Sequence, residues 1–273
     1  MLRQSQDTGG WTFMSNISKA FSNGKAFIPF LTAGDPTADK TVEFMMEMER
    51  AGADLIELGI PFSDPTAEGE VIQNANVRAL KAGITTDGVF EIVRKVREKT
   101  QIPIVLLTYL NPVFHYGYDA FFARCRELSV DGIICPDLPY EEKKELSDVA
   151  AEYGVDLIPL IAPTSKGRTQ MIAREADGYI YLISSMGVTG VRGQITTDID
   201  AMVKSVREVT DIPCAVGFGI STPAQAAEMA AKSDGAIVGS AIVRMIAQYA
   251  GEAGPHIYAY VKEMKDALRR IES

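Results

Sequence analysis

Eight short, almost unbroken apolar runs recur along the chain, and longer amphipathic stretches separate them. The runs are "AFIPFLTA" (26–33), "DLIELGI" (54–60), "IPIVLLTY" (102–109), "DGIICPDL" (131–138), "DLIPLIAP" (156–163), "YIYLIS" (179–184), "IPCAVGFG" (212–219) and "GAIVGS" (235–240). A strand that is apolar at successive positions must be covered on both faces, as strands of parallel sheets are. Between the runs the period changes to that of a helix. In "TVEFMMEMERAG", Val42, Met45, Met46 and Glu49 follow helical spacing, with Glu43 and Glu47 on the other side. In "STPAQAAEM", Thr222 is placed to cap, Pro223 to open a helix and Gln225 to complete a capping box. Near the C-terminus, Ile257, Val261, Met264, Leu268 and Ile271 form one stripe.

Strand-then-helix repeated eight times closes naturally into one (β/α)8 TIM barrel, here with an extra helix ahead of the first strand. The competing architecture, an open doubly wound sheet, usually carries G-x-G-x-x-G after its first strand, and that fingerprint is missing. No Pro/Gly/Ser-rich linker divides the chain. Residues 14–273 are therefore expected to form a single barrel domain. Residues 1–13, polar and followed at once by a second methionine, Met14, are expected to be a disordered leader or an upstream-start extension.

The chain has 273 residues, 47% of them hydrophobic, which is enough for one large α/β core. Its formal net charge of −9 argues against a nucleic-acid footprint or an anionic membrane surface, since both need a basic face. Cys125, Cys135 and Cys214 show no C-x-x-C spacing and are odd in number, so a reduced, cytoplasmic setting is the expectation. With only His115 and His256, a His-rich metal site is not expected. No apolar run is long enough to span a bilayer, and the N-terminus lacks the apolar core of a secretory signal.

In this architecture the chemistry sits at the C-terminal ends of the strands. "ELGIPFSDPTAEGE" (57–70) crosses such an end and holds four carboxylates, Glu57, Asp64, Glu68 and Glu70. Glu57 lies inside an apolar strand. Buried there, it is either a structural carboxyl tied to a neighbour or a general acid/base with a raised pKa. Glu68 lies in the loop beyond it. By itself it reads as a solvated acid, although it could reach back over the same pocket. The last three strand ends carry glycines: Gly187 and Gly190, Gly217 and Gly219, and Gly239, with Ser240 opening the next helix. Glycine admits backbone N–H groups close to an anion, and a helix N-terminus favours negative charge, so these ends form a candidate phosphate site. Phe30, Tyr109, Tyr181 and Phe218 could line a flat aromatic pocket or be core residues.

"FIPFLTAGDP", "LIELGIPFSDPTAEG", "IQNANVRAL", "GVTGVR", "GFGIS" and "GSAIV" occur in an order that resembles the tryptophan synthase α subunit, from about Ile17 to the C-terminus. The resemblance implies a lyase of tryptophan biosynthesis that cleaves indole-3-glycerol phosphate to indole and glyceraldehyde 3-phosphate by a retro-aldol reaction. It implies no cofactor in this chain, a pyridoxal-phosphate-dependent β subunit as partner in an α2β2 assembly, and transfer of indole to that partner. It puts the catalytic carboxyls on Glu57 and Glu68, the second at a position where the family usually has Asp. It puts phosphate binding on Gly190, Gly219, Gly239 and Ser240, and the indole pocket on Phe30, Leu107, Tyr109 and Tyr181, which Phe218 would adjoin. Asp64 and Thr189 are its further loop positions. Thr66 and Glu70 stand where the family more often has an apolar residue and Pro. A second reading is an α-type subunit that catalyses weakly and acts mainly by binding and activating the β subunit. Another phosphate-binding barrel enzyme, an isomerase or the indole-glycerol-phosphate synthase, would not need the "ELGIPFSDP" arrangement, and the synthase needs a lysine inside the barrel.

Overall fold

The structure, a computed structural model, describes residues 2–4, 11–13, 15–184, 198–217 and 219–272. Eight parallel strands carry the fold: β1 (Ala26–Thr32), β2 (Ile56–Gly59), β3 (Ile104–Leu107), β4 (Gly132–Ile134), β5 in two pieces (Asp156–Leu157 and Leu160–Ile161), β6 (Ile180–Ile183), β7 (Cys214–Gly217) and β8 (Gly235–Val238). Each lies within one of the eight apolar runs. Hydrogen bonding runs from the first piece of β5 through β4, β3, β2, β1, β8, β7 and β6 to the second piece of β5. The two ends of that order are one continuous stretch of chain, so the sheet closes on itself. Pro159 explains why β5 is split. It has no N–H to give, yet its carbonyl accepts from Tyr181 at 3.0 Å, while Ile158 N–H donates to the Ile133 carbonyl at 2.9 Å. The ring of bonds therefore crosses the break. Outside the barrel, Leu2–Gln4 pairs antiparallel with Trp11–Phe13.

The uniform apolarity of the strands conceals a strict alternation. Along β1, Phe27 and Leu31 pack outward under the helices, while Ala26 and Ile28 pack inward. The interior is built from Ile28, Leu55, Val105, Ile134, Ile158, Tyr179, Tyr181, Ala215 and Ile237, one side chain or two per strand. The short helix Ile17–Ala20 closes the bottom with Ile17 and Ala20 in the same cluster. Glu57 occupies an inward position on β2, between the outward-packed Ile56 and Leu58.

The bottom of the barrel is stitched by one repeated device. Asp54, Asp131 and Asp234 precede β2, β4 and β8, and each accepts the backbone N–H near the start of the adjacent strand. The partners are Phe27 at 2.7 Å, Ile104 at 2.9 Å and Cys214 at 2.7 Å. Each aspartate also has a basic partner: Lys265, Arg97 and Arg207 respectively. Asp131 further accepts from Asn16 N–H at 2.7 Å, which ties down the plug helix. A carboxylate that accepts backbone N–H bonds and meets a cation is one that can be buried at modest cost.

The helices fall between the strands as the periodicity predicts, with two corrections of face. In Ala38–Ala51 the buried stripe is Thr41, Val42, Phe44, Met45, Met48 and Ala51. Met46 and Glu49 lie at its edge, each only partly buried. Ile271 falls just beyond the helix Gly254–Arg270 and is 41% exposed, whereas Ile257, Val261, Met264 and Leu268 are buried. The capping box of Thr222 and Gln225 forms with Pro223 in the first turn.

Two glycines of the interior make room for rings. A Cβ on Gly59 would lie 2.7 Å from Cζ of Phe30, and one on Gly217 would overlap the Tyr181 hydroxyl. Gly217→Ala is therefore expected to lower stability by about 1–3 kcal/mol, the usual cost of overpacking. Urea denaturation measures it, and an unchanged midpoint would show that Tyr181 moves aside freely.

Candidate functional site

A cavity of about 510 Å³ opens at the C-terminal end of the barrel. Its walls include Phe30 from β1, Glu57 from β2, Leu107 from β3, Tyr181 and Ile183 from β6, and Ile237 from β8, with Glu68, Gly219 and Gly239 from the loops and Ser240 from the start of the helix that follows β8. The strand register makes Phe30 and Glu57 direct neighbours. Around Phe30, Leu107, Tyr181, Ile183 and Ile237 the lining is apolar and aromatic; Lys143, Arg168, Glu175 and Asp177 make another part of it charged.

Glu57 is buried, at 1% exposure. The Tyr179 hydroxyl, just below in the barrel interior, donates to Glu57 Oε1 at 2.6 Å. Burial pushes the Glu57 pKa up to about 8, and the Tyr179 hydrogen bond pulls weakly the other way. Losing water penalises the charged carboxylate more than one neutral donor can repay. Tyr179 and Tyr181 are themselves pushed well above the ordinary phenol value, by burial first and then by the Glu57 charge, so both remain donors.

Glu68 is not the solvated loop acid that its sequence context predicts. It is 7% exposed and sits just ahead of the helix Glu70–Lys81. Asn76 Nδ2 donates to its Oε2 at 2.6 Å. Burial pushes its pKa up to about 7, against hydrogen bonds from Asn76 and Tyr109. The Tyr109 hydroxyl also accepts from Ala67 N–H at 3.1 Å. Tyr109 therefore stands behind Glu68, its ring tilted against Phe62, and is not part of the cavity wall.

At the end of β8, Gly239 caps the helix Ser240–Tyr249, whose first N–H groups have no partner within the helix. Gly219 has φ of +82°, a conformation that favours glycine. A Cβ on Gly239 would come 3.2 Å from Phe30 Cδ1. That glycine therefore serves ring packing as well as whatever approaches the helix. Asp64 is exposed and paired with Ser63 Oγ, away from the cavity wall. Gly187, Thr189, Gly190 and Phe218 lie outside the described residues.

The structure thus brings together Glu57, Glu68, Phe30, Leu107, Tyr181, Gly219, Gly239 and Ser240, and sets Tyr109 behind them. Sequence reasoning missed Tyr179 and Asn76. Tyr179 was legible only as the inward position just ahead of β6. Asn76 was legible as a polar residue on the buried stripe of Ile72, Ala75 and Ala79. Among the described residues, no group of three or more His, Cys, Asp or Glu is arranged to hold a metal ion, and no helix is long and apolar enough to cross a membrane.

A family model described as the tryptophan synthase alpha chain matches residues 17–269. The tryptophan synthase alpha chain of Lacticaseibacillus casei is 48% identical over 255 residues, covering 93% of this chain and 96% of its own. That of Lactiplantibacillus plantarum is 49% identical over 256 residues, covering 93% and 97%. The crystal structure of the alpha chain from Legionella pneumophila superposes with a TM-score of 0.85 at 36% identity, over 96% of this chain and all of that one. A chain of the tryptophan synthase α2β2 complex of Pyrococcus furiosus superposes with a TM-score of 0.81 at 35% identity, over 89% of this chain and 99% of that one. The chain belongs to the tryptophan synthase alpha chain family.

Proposed function

We propose that the chain cleaves indole-3-glycerol phosphate to indole and glyceraldehyde 3-phosphate, with Glu57 as the acid/base and Glu68 as the partner of the indole nitrogen. The observation that carries this reading is the pair of buried carboxyls on one cavity wall, each with a raised pKa and each held by different donors. Breaking a bond from carbon to an aromatic ring requires that ring carbon to be protonated first. Neutral Glu57 supplies the proton. The resulting carboxylate then takes the proton of the neighbouring hydroxyl as the C–C bond breaks and the aldehyde forms. The bond electrons return to the ring, and Glu57 ends as it began. Glu68 as carboxylate accepts from the indole N–H and stabilises the positive charge that builds on the protonated ring. The aromatic wall of Phe30 and Tyr181 suits the planar end of the substrate. Gly219, Gly239 and Ser240, at a positive helix end, suit its phosphate. Gly190, Thr189 and Phe218 are proposed to complete these two subsites.

The α2β2 neighbours support a β subunit as the partner, and we assign the pyridoxal phosphate of the overall reaction to it. Phe114 supports a partner surface at the mouth. It is 66% exposed on the helix Leu110–Tyr116, which follows directly from the C-terminal end of β3. A cytoplasmic setting, with three buried free cysteines, belongs to the same proposal. Comparing cleavage by the isolated chain and by its complex tests whether the chain is a catalyst in its own right.

Cleavage should follow a bell in pH. Activity falls as pH drops through about 7 and protonates Glu68, and falls as pH rises through about 8 and ionises Glu57. Glu57→Gln is expected to lower kcat about a hundred- to ten-thousand-fold while binding of a phosphate ligand persists. Both carboxyls have folded pKa values raised above the ordinary 4.5, so the folded state holds more protons than the unfolded chain between pH 4.5 and about 8. Stability is therefore lost as pH rises through that window. Calorimetry should find Glu57→Gln more stabilising at pH 9 than at pH 5. An equal effect at both values would mean that Glu57 ionises without penalty. Phe114→Asp should weaken binding to the β subunit at least about tenfold, as loss of a buried apolar anchor does. Titration calorimetry with an unchanged Kd would locate the interface elsewhere.

A further inference from the structure

The helix Glu70–Lys81 buries one polar side chain among apolar ones. Asn76 is 3% exposed and shares its face with Ile72, Ala75 and Ala79. Burying a carboxamide there costs stability unless its hydrogen bonds are made, and an alanine at that place would pack without the cost. The bond it makes is to Glu68 Oε2, at 2.6 Å. One turn earlier, Gln73 Nε2 donates to the Glu68 backbone carbonyl at 2.7 Å. The same helix thus holds Glu68 at both ends, main chain and carboxyl.

We propose that Asn76 is a positioning residue for the reaction: its carboxamide fixes the rotamer of Glu68 and holds it as a carboxylate facing the cavity. The proposal rests on the cleavage reading above and deepens it. Glutamate has one more rotatable bond than aspartate, and an unrestrained arm would lose more rotamer freedom each time it met substrate. The Asn76 bond restrains that arm before substrate arrives. A carboxylate has two oxygens and about four lone-pair sites, so Asn76 and Tyr109 leave capacity for an indole N–H. Asn76 donates without carrying charge, and so favours the ionised form without neutralising it. Burial opposes that form, which is why Glu68 sits up at about 7 even with both donors in place. The titratable groups around it are the Tyr109 phenol, the Glu57 carboxyl on the same wall and Asp137, which acts on Tyr109.

The test is the pH dependence of kcat/KM for indole-3-glycerol phosphate, measured on the full chain with its β subunit. Asn76→Leu removes the donor at similar volume, and Asn76→Ala serves if the leucine variant does not fold. Either should move the acid limb upward by about one unit or more, since a hydrogen bond to a charged group is worth at least that. Below the limb this appears as a loss of about tenfold or more, recovered in part as pH rises. Asn76→Asp places a second carboxyl against Glu68 and should move the limb further. In a Glu68→Gln background Asn76→Leu should change kcat/KM little, because the group it positions is gone. A uniform loss across pH, or an unmoved limb, would make Asn76 a packing residue and overturn the proposal. If instead Glu68→Gln itself keeps full activity and its acid limb, the cleavage role of Glu68 fails, and that outcome is distinguishable from the first.

Discussion

A carboxyl in the wall of an apolar barrel sets the terms for everything around it. Glu57 cannot be solvated where it is, so it must stay neutral at ordinary pH or find donors. The barrel supplies one donor from below, Tyr179, and otherwise leaves the group dry. That choice requires aromatic side chains on the inward positions of β1 and β6. Those rings in turn require glycine at Gly59, Gly217 and Gly239, where a Cβ would collide with or crowd Phe30 or Tyr181. The small residues and the large ones of the interior are therefore one arrangement. The site exists because the barrel core is packed up to the level of Glu57 and then stops.

The two faces of the barrel surround buried carboxyl groups with different partners. At the bottom, Asp54, Asp131 and Asp234 each receive a backbone N–H and a basic side chain, and so hold strands together. Burial raises the pKa of Asp54 and Asp131 as well, but there a basic side chain opposes it; at the mouth burial raises Glu57 and Glu68 with only neutral donors opposing it. The same chemical group is a stitch where a cation meets it and a group free to change its charge where only neutral donors do.

How much of this was legible in the sequence follows from what each signal depends on. The strands were legible because a strand covered on both faces has a composition that few other elements share. The break at Pro159 was not, since a proline in an apolar run reads as part of the run until its neighbours are seen to carry the ladder. The stripe of Ala38–Ala51 was misphased because Met46 and Met48 are equally apolar. Only packing distinguishes the one at the edge from the one inside. Glu57 stood out as a charge in an apolar strand. Glu68 did not, because its burial comes from a helix that folds back over it, and a local reading sees only an acid in a polar loop. Of the glycines after the last strands, Gly219 and Gly239 line the cavity. Part of their purpose, making space for Phe30 and Tyr181, is a relation between strands that no single run of sequence contains.

Glu68 joins these levels. An aspartate there would need its backbone close to its ligand, whereas a glutamate can stand further back and reach. Reach alone is a liability, since every added rotor must be immobilised before it can act on a fixed atom. The helix Glu70–Lys81 supplies the restraint through Gln73 on the main chain and Asn76 on the carboxyl, while Tyr109 holds the preceding peptide at Ala67. The acidic residue Glu70, in the first turn of that helix, lies where the helix dipole favours negative charge. A loop that at first sight crowds like charges thus separates them by environment: Glu57 dry and neutral, Glu68 gripped and poised between its two forms, and Glu70 in solvent at a helix end.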